Sequence, residues 1–345
     1  MSASFSMANY FVMACLVLST TAVSAEKSVS FTAEQVAAAV AQAPIAPVHK
    51  QLSDDFGLKL KLVDYVDFTN PNDCHDMRDR GTSLIVDGPA GKYRETAGHR
   101  HAMVSVRWKA DALDKPHLLL WEYPDDKDRQ ICFFTHESGL TGRANLDWSL
   151  ETGVNCGYPL PLSNKMQYHT FFFWPSDPHP VAMNMNWARS KIPAAASRLW
   201  IYRVVGDALP PLQVDEPDPE NPRIFGGLHN WSLVPTRGNF GLNRATAMDH
   251  IAEYHAFRGD NIISWPVVSN NSWGFRCKIP AWDGGDKPKQ GGVLVELEHI
   301  LAVCEKHKLK FLPVFDTGYR FTINGKSDKD ADPAQRRAGF EKGFK

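Results

Sequence analysis

The sequence predicts a chain of two folded parts: an antiparallel β-sandwich, followed by a (β/α) portion built on a parallel sheet. Three observations predict it. Residues 58–205 contain short apolar runs with a period of two, separated by Gly, Pro, Asn and Asp. Residues 206–222, GDALPPLQVDEPDPENP, are proline-rich and acidic and read as an extended linker. Beyond them the apolar period changes to 3.6, and residues 224–316 read as strand, helix, strand, helix, strand. The expected organisation is a signal peptide over 1–25, a β-sandwich over 26–205, a linker over 206–223 and a truncated barrel portion over 224–345.

The length of 345 residues fits two domains. The N-terminus carries an apolar run at 11–18 and then the small residues Val23, Ser24 and Ala25, the pattern a signal peptidase reads. No Lys or Arg precedes that run. It is shorter than the ~20 apolar residues of a membrane span, so the expectation is export to the periplasm, the cell surface or the medium, with no membrane span once the signal is removed. A net charge of −1 offers no basic surface for nucleic acid.

Each element has its own signal. Residues 32–43 are Ala-rich and read as a short helix without chemical residues. Leu58, Leu60 and Leu62 alternate with Lys59 and Lys61, as in a half-buried strand. Residues 101–109 place Val104, Val106 and Trp108 on one side. Residues 116–123, PHLLLWEY, form a strand apolar throughout, and 130–135, 168–174, 181–187 and 199–205 are further strands. Asp125, Asp126 and Asp128 read chiefly as a solvated turn, with calcium binding as the rarer use of such a cluster. After the linker come a strand at 224–233, a helix at 243–258 capped by Asn243 and stopped by Gly259, and a strand at 261–268. A helix at 293–307, with Leu294, Leu297, Leu301 and Cys304 as its stripe, and a strand at 311–315 complete the set.

Of the six cysteines, Cys15 belongs to the signal, and Cys132 with Cys156 is a candidate bridge weighed against two small buried residues. No pair has CxxC spacing, so no metal and no cofactor is expected. G-x-S-x-G, P-loop, G-x-G-x-x-G and H-E-x-x-H patterns are lacking too. In α/β barrels the chemistry sits at the C-terminal ends of the strands. Here those ends carry His229, Asn230 and Trp231, then Trp265, Asn270 and Trp273, then Asp316. Indole faces and amide or carboxylate edges suit a pyranose ring, which makes these the candidate substrate-binding residues. Packed tryptophans, a β-turn and a helix cap are the structural alternatives. A glycosidase needs two carboxylates across the scissile bond; only Asp316 is so placed, and no catalytic pair can be named.

GGLHNW, MDHIAEYHAFRGDNIISWPVV and KFLPVFD resemble the start of a glycoside-hydrolase-like, family-10-like TIM barrel of large secreted bacterial proteins. PHLLLWEYPDD and FFFWPSDPHPVAMNMNW look like the galactose-binding-like β-sandwich that precedes such barrels, so the resemblance implies an antiparallel β-sandwich (jelly-roll-like) followed by an incomplete (β/α) TIM-barrel portion. The resemblance implies the N-terminal part of a secreted glycoside hydrolase that acts on a polysaccharide or oligosaccharide by carboxylate acid/base catalysis. A full barrel takes about 250 residues, more than follow the linker, so this chain alone is expected to be inactive. The competing expectation is a non-catalytic carbohydrate-binding or cell-surface protein.

Overall fold

The computed structural model describes residues 31–136, 149–157, 160–175, 177–186, 191–212, 244–269, 272–273 and 294–315. Two helices, α1 (Ala33–Gln42) and α2 (His49–Phe56), open the described chain. Twelve strands follow: β1 (Leu60–Asp67), β2 (Met77–Arg80), β3 (Leu84–Gly88), β4 (Gly91–Glu95), β5 (Met103–Arg107), β6 (His117–Pro124), β7 (Gln130–His136), β8 (Ser149–Asn155), β9 (Met166–Phe173), β10 (Val181–Asn186), β11 (Ala195–Ala196) and β12 (Arg198–Val204). The last part holds α3 (Arg244–Phe257), β13 (Ile262–Ser269), β14 (Ser272–Trp273), α4 (Leu294–Lys306) and β15 (Lys310–Phe315).

The sandwich consists of a four-stranded sheet, β1-β12-β6-β9, and a five-stranded sheet, β2-β5-β10-β7-β8, both antiparallel. Between them lies a core of Val66, Val104, Val106, Trp108, Leu119, Trp121, Phe133, Phe171, Phe173, Leu199 and Ile201. Every second residue of each strand points into it, as the pleat requires. Trp121 stacks between Phe68 and Phe133, with centroid distances of 5.6 and 4.9 Å.

The other face of the four-stranded sheet is also buried. Leu118, Leu120, Phe172, Trp200 and Tyr202 pack there against Ala46 and Leu52, from the α1–α2 connection and α2, and against Phe257 of α3. Burial on both faces explains why PHLLLWEY shows no alternation. A third sheet, β11-β4-β3, flanks the sandwich. It is tied down by Arg129, which is fully buried and donates from Nη2 to Glu95 (2.8 Å), Asp126 (2.9 Å) and the Tyr93 hydroxyl (3.2 Å). Asp126 therefore sits in a buried ion pair rather than in a solvated turn. Burial opposes its charge, but Tyr93 and Arg129 outweigh that and hold its pKa below the usual value.

No disulfide joins Cys132 and Cys156. Adjacent strand positions face opposite ways, and Cys156 packs in the intersheet core while Cys132 packs with Met103, Met183 and Met185 on the outer side of the five-stranded sheet. Burial, reinforced by Asp125, pushes the Cys156 thiol up to about 12.

In the C-terminal part, β13 and β15 pair in parallel with α4 between them, a βαβ connection, while β14 adds a short antiparallel partner. The β13–β15 register shifts between Pro266 and Val268, where proline offers no donor to the ladder. Met248, Ile251 and Ala252 of α3 pack against Ile300, Val303 and Cys304 of α4 and Ile263 of β13. The buried stripe of α4 thus runs through Ile300 and Val303, and Leu301 is exposed. Gly259 ends α3 in the left-handed region at φ 74°. Among the described residues no barrel closes. The expected first barrel strand at 224–233 and the signal segment at 1–25 lie outside the described residues, as does most of the 206–223 linker.

Candidate functional site

The outer face of the four-stranded sheet changes character along its length. Most of it is apolar and covered, but one end carries a polar row. Asp67 of β1 is in register with Arg198 of β12, Arg198 with Glu122 of β6, and Glu122 with Tyr168 of β9. Cross-strand partners on one face lie within side-chain reach, and these interact. Arg198 Nη1 donates to Glu122 Oε2 (2.8 Å), and the Tyr168 hydroxyl donates to Glu122 Oε1 (3.0 Å). One step inward, Tyr65 and Trp200 face each other at 5.7 Å.

A cavity of about 490 Å³ opens over the Asp67–Arg198 end of this row. One wall is α1, which presents Gln35, Ala38, Ala39 and Gln42. That i, i+3, i+4, i+7 spacing is one helical face. The helix is placed by a capping box in which Thr32 and Gln35 bond reciprocally. Trp200 Nε1 donates to the Pro44 carbonyl (2.8 Å), anchoring the turn after α1. The opposite wall is the loop after β1, with Asn70, Asn72, Asp73 and Cys74, and the floor is Tyr65, Asp67 and Arg198.

Side chains shape that loop. Asp67 Oδ1 accepts from the backbone and hydroxyl of Thr69 (2.8 and 2.7 Å), Asn70 Oδ1 accepts from Asn72 N (2.9 Å), and Asp73 Oδ2 accepts from Asp67 N (2.8 Å). Behind it the His75 imidazole is fully buried, bonded at Nδ1 to Asp73 Oδ1 (2.6 Å) and at Nε2 to Asp64 Oδ1 (2.9 Å). Burial opposes the imidazolium, but the two carboxylates outweigh it and push its pKa up to about 12.

The electrostatics leave the floor rich in hydrogen-bonding groups. Burial and the charge of Asp67 push Tyr65 up to about 12, and burial with Glu122 does the same to Tyr168, so both phenols stay protonated at neutral pH. Burial opposes the charge of Arg198, but Glu122 outweighs it and raises its pKa further. Carboxylate, guanidinium, amide and phenol groups in one concave site can hold a polyhydroxylated ligand from several sides.

None of the described residues that line this cavity is among the site residues expected from the sequence. His229, Asn230, Trp231, Asn270 and Asp316 lie outside the described residues. Trp265 falls in β13 and Trp273 in β14, where the structure describes the backbone pairing alone: Trp265 opposite Pro313, and Trp273 opposite Val268. The cavity residues were passed over because α1 reads as bland and the row Asp67–Arg198–Glu122–Tyr168 is scattered along the sequence. One available signal was Glu122, a carboxylate within an otherwise apolar strand.

No protein-family model and no curated protein matches the chain. Among solved structures, it is similar to an exo-β-1,3-galactanase from Phanerochaete chrysosporium crystallised with β-1,3-galactotriose. The identity is 12%, covering 40% of this chain and 28% of that one, at a TM-score of 0.28. A family 35 carbohydrate-binding module from Cellvibrio japonicus matches at 10% identity over 40% of this chain and 92% of that one, TM-score 0.29. Another from Clostridium thermocellum matches at 6% identity over 40% and 98%, TM-score 0.28. The chain thus spans 28% of the galactanase it matches.

Proposed function

We propose that the sandwich is a carbohydrate-binding module of a secreted carbohydrate-active protein, and that it takes a saccharide in the cavity between α1 and the loop after β1. The observation that carries this reading is the in-register polar row Asp67–Arg198–Glu122–Tyr168, which leads into a concave site walled by amides. Sugar hydroxyls both donate and accept. Asp67 accepts, Arg198 donates, and Asn70, Asn72, Gln35 and Gln42 do either.

The test is binding to a panel of soluble polysaccharides and oligosaccharides, by affinity electrophoresis and titration calorimetry. Asn72→Ala and Gln42→Ala change cavity walls at exposed positions. They are expected to weaken binding about tenfold each, about the cost of a lost hydrogen bond, with the melting temperature unchanged. Binding that survives both variants would place the saccharide elsewhere and sink this site.

A second reading concerns the C-terminal part, where the parallel β13–β15 pair and α4 fit the start of a (β/α) barrel. In this reading the natural product is a glycoside hydrolase, with His229, Asn230, Trp231, Trp265, Asn270, Trp273 and Asp316 facing the polysaccharide at strand ends. The intact mass and hydrolytic activity of the protein made from its native gene test it. A mass near 38.6 kDa or slightly below, with no hydrolysis, would leave binding as the function.

A further inference from the structure

Asp73, Cys74 and His75 are consecutive, yet a carboxylate oxygen, the thiol sulfur and a ring nitrogen all lie within 4.8 Å of one another. A strand would send neighbouring side chains to opposite faces. The turns that follow Asp67 hold this segment out of any strand, so the three donors converge, Asp73 and Cys74 at the wall of the cavity and His75 buried behind them. Cys74 Sγ lies 3.6 Å from His75 Nδ1, and Asp73 Oδ1 lies 2.6 Å from the same nitrogen.

The surroundings are those of a metal ligand set. The far nitrogen of His75 bonds the buried Asp64 carboxylate at 2.9 Å. Asp64 is itself fixed, with Oδ1 accepting from Tyr65 N (2.8 Å) and Oδ2 from Lys109 N (2.7 Å). A carboxylate that orients the non-ligating nitrogen of a histidine is the usual outer support of a bound metal ion. The Phe31 ring packs 5.0 Å from the imidazole and gives it an apolar cover. Asp73 and Cys74 also line the cavity, so a fourth position would face it.

We propose that Asp73, Cys74 and His75 form a three-donor site for zinc or a similar borderline divalent cation, with the fourth coordination position open to the cavity. Zn–S and Zn–N bonds of about 2.3 and 2.0–2.1 Å at a tetrahedral angle separate sulfur from nitrogen by about 3.5 Å, close to the 3.6 Å found. The oxygen and nitrogen of such a site stand about 3.3 Å apart. Asp73 therefore moves outward by roughly 0.7 Å as the ion replaces the proton that it shares with Nδ1. The sulfur and the ring nitrogen ligate only without their protons, so binding of the ion releases protons to solvent. A thiolate and an imidazole disfavour calcium, which takes oxygen ligands. Three protein ligands and an open position are the pattern of zinc sites that exchange a water or substrate oxygen. This site does not depend on the saccharide reading, because it stands or falls on metal binding alone.

The sequence holds no CxxC spacing and so carries no familiar metal signature. That spacing describes structural zinc sites held by paired cysteines, whereas this set is a contiguous Asp-Cys-His brought together by a turn.

The test uses the full chain, reduced and freed of metal, with Co²⁺ as the probe. The expected result is one Co²⁺ per chain with tetrahedral d–d bands and thiolate-to-cobalt charge-transfer absorption. Zn²⁺ should displace it and excess Ca²⁺ should not. Cys74→Ser, a one-atom change at a partly exposed position, should abolish the charge-transfer absorption while the protein stays folded by circular dichroism. Asp73→Asn should weaken binding at least tenfold. No stoichiometric binding, displacement by calcium, or a charge-transfer band unchanged in Cys74→Ser would overturn the proposal.

Discussion

At the scale of single residues, the buried charges and imidazoles decide most. Arg129 reaches four acceptors, including the Pro193 carbonyl at 2.6 Å, and no other side chain could span them. Arg129→Ala leaves the buried Asp126 carboxylate without its cation, while Glu95 keeps Lys127 at 2.7 Å, and a loss of about 3–5 kcal/mol is expected. Arg129→Lys should fail similarly, because a single ammonium cannot reproduce the planar fork; urea unfolding of both variants checks this. Two histidines contribute to the acid sensitivity. Burial lowers His169 and His250 to about 4, from 6.5. Below pH about 6.5 the unfolded chain protonates these rings and the folded protein does not, so stability falls as pH drops towards 4 and the loss levels off below it. At ~1.4 kcal/mol per pH unit the loss is on the order of 3 kcal/mol for each ring. His169 stacks on Phe133 at 5.4 Å, so His169→Phe keeps the packing. The variant should flatten the stability-against-pH curve between pH 6.5 and 4; an unchanged curve would assign the acid sensitivity to other groups.

At the scale of elements, legibility followed burial. β1, β5, β7, β10 and β12 show their alternation or apolar run in the sequence, and α3 and α4 lie within a residue or two of their expected bounds. β2, β3 and β4 escaped because they lie at sheet edges or in the flanking sheet, with burial patterns too weak to leave a period. β4 is held by long-range contacts instead, and β3 pairs with it: Arg94 Nε donates to the Phe68 carbonyl (2.9 Å), and Ser197 Oγ to the Lys92 carbonyl (2.9 Å). Gly88, at the end of β3, is part of the same device. A Cβ there would collide with the Tyr93 hydroxyl and come within 2.7 Å of Asp126 Oδ2. Gly88→Ala must displace the pair that satisfies Arg129, so a loss of about 1–3 kcal/mol is expected. Thermal unfolding measures it, and a neutral outcome would show that Tyr93 and Asp126 can shift without cost.

At the scale of the whole molecule, the cavity was illegible because no one segment owns it. Its floor joins residues 67 and 198, which only strand pairing makes neighbours, and its walls are a helix and a loop that read separately as unremarkable. The contact between the sandwich and α3 was hidden for the same reason. Trp174 stacks on His250 at 5.0 Å with planes 10° apart, and Phe172 meets Phe257 at 5.2 Å and Tyr254 at 6.0 Å. Polar contacts reinforce these: Leu209 N donates to Glu253 Oε1 (2.7 Å), and Leu212 N to the Ala256 carbonyl (3.1 Å). The chain leaving β12 is thus fastened to α3, and α3 completes the apolar cover of the four-stranded sheet. Large aromatic contacts between two parts couple their unfolding, since opening one exposes the other's core. Phe257→Ala is expected to cost about 3–5 kcal/mol and to lower hydrogen-exchange protection in β9 as well as in α3. Two modules held only by a linker would respond differently, with protection lost in α3 and β9 unchanged. That result would make the α3 contact incidental to the sandwich and remove the reason to treat the described residues as one cooperative body.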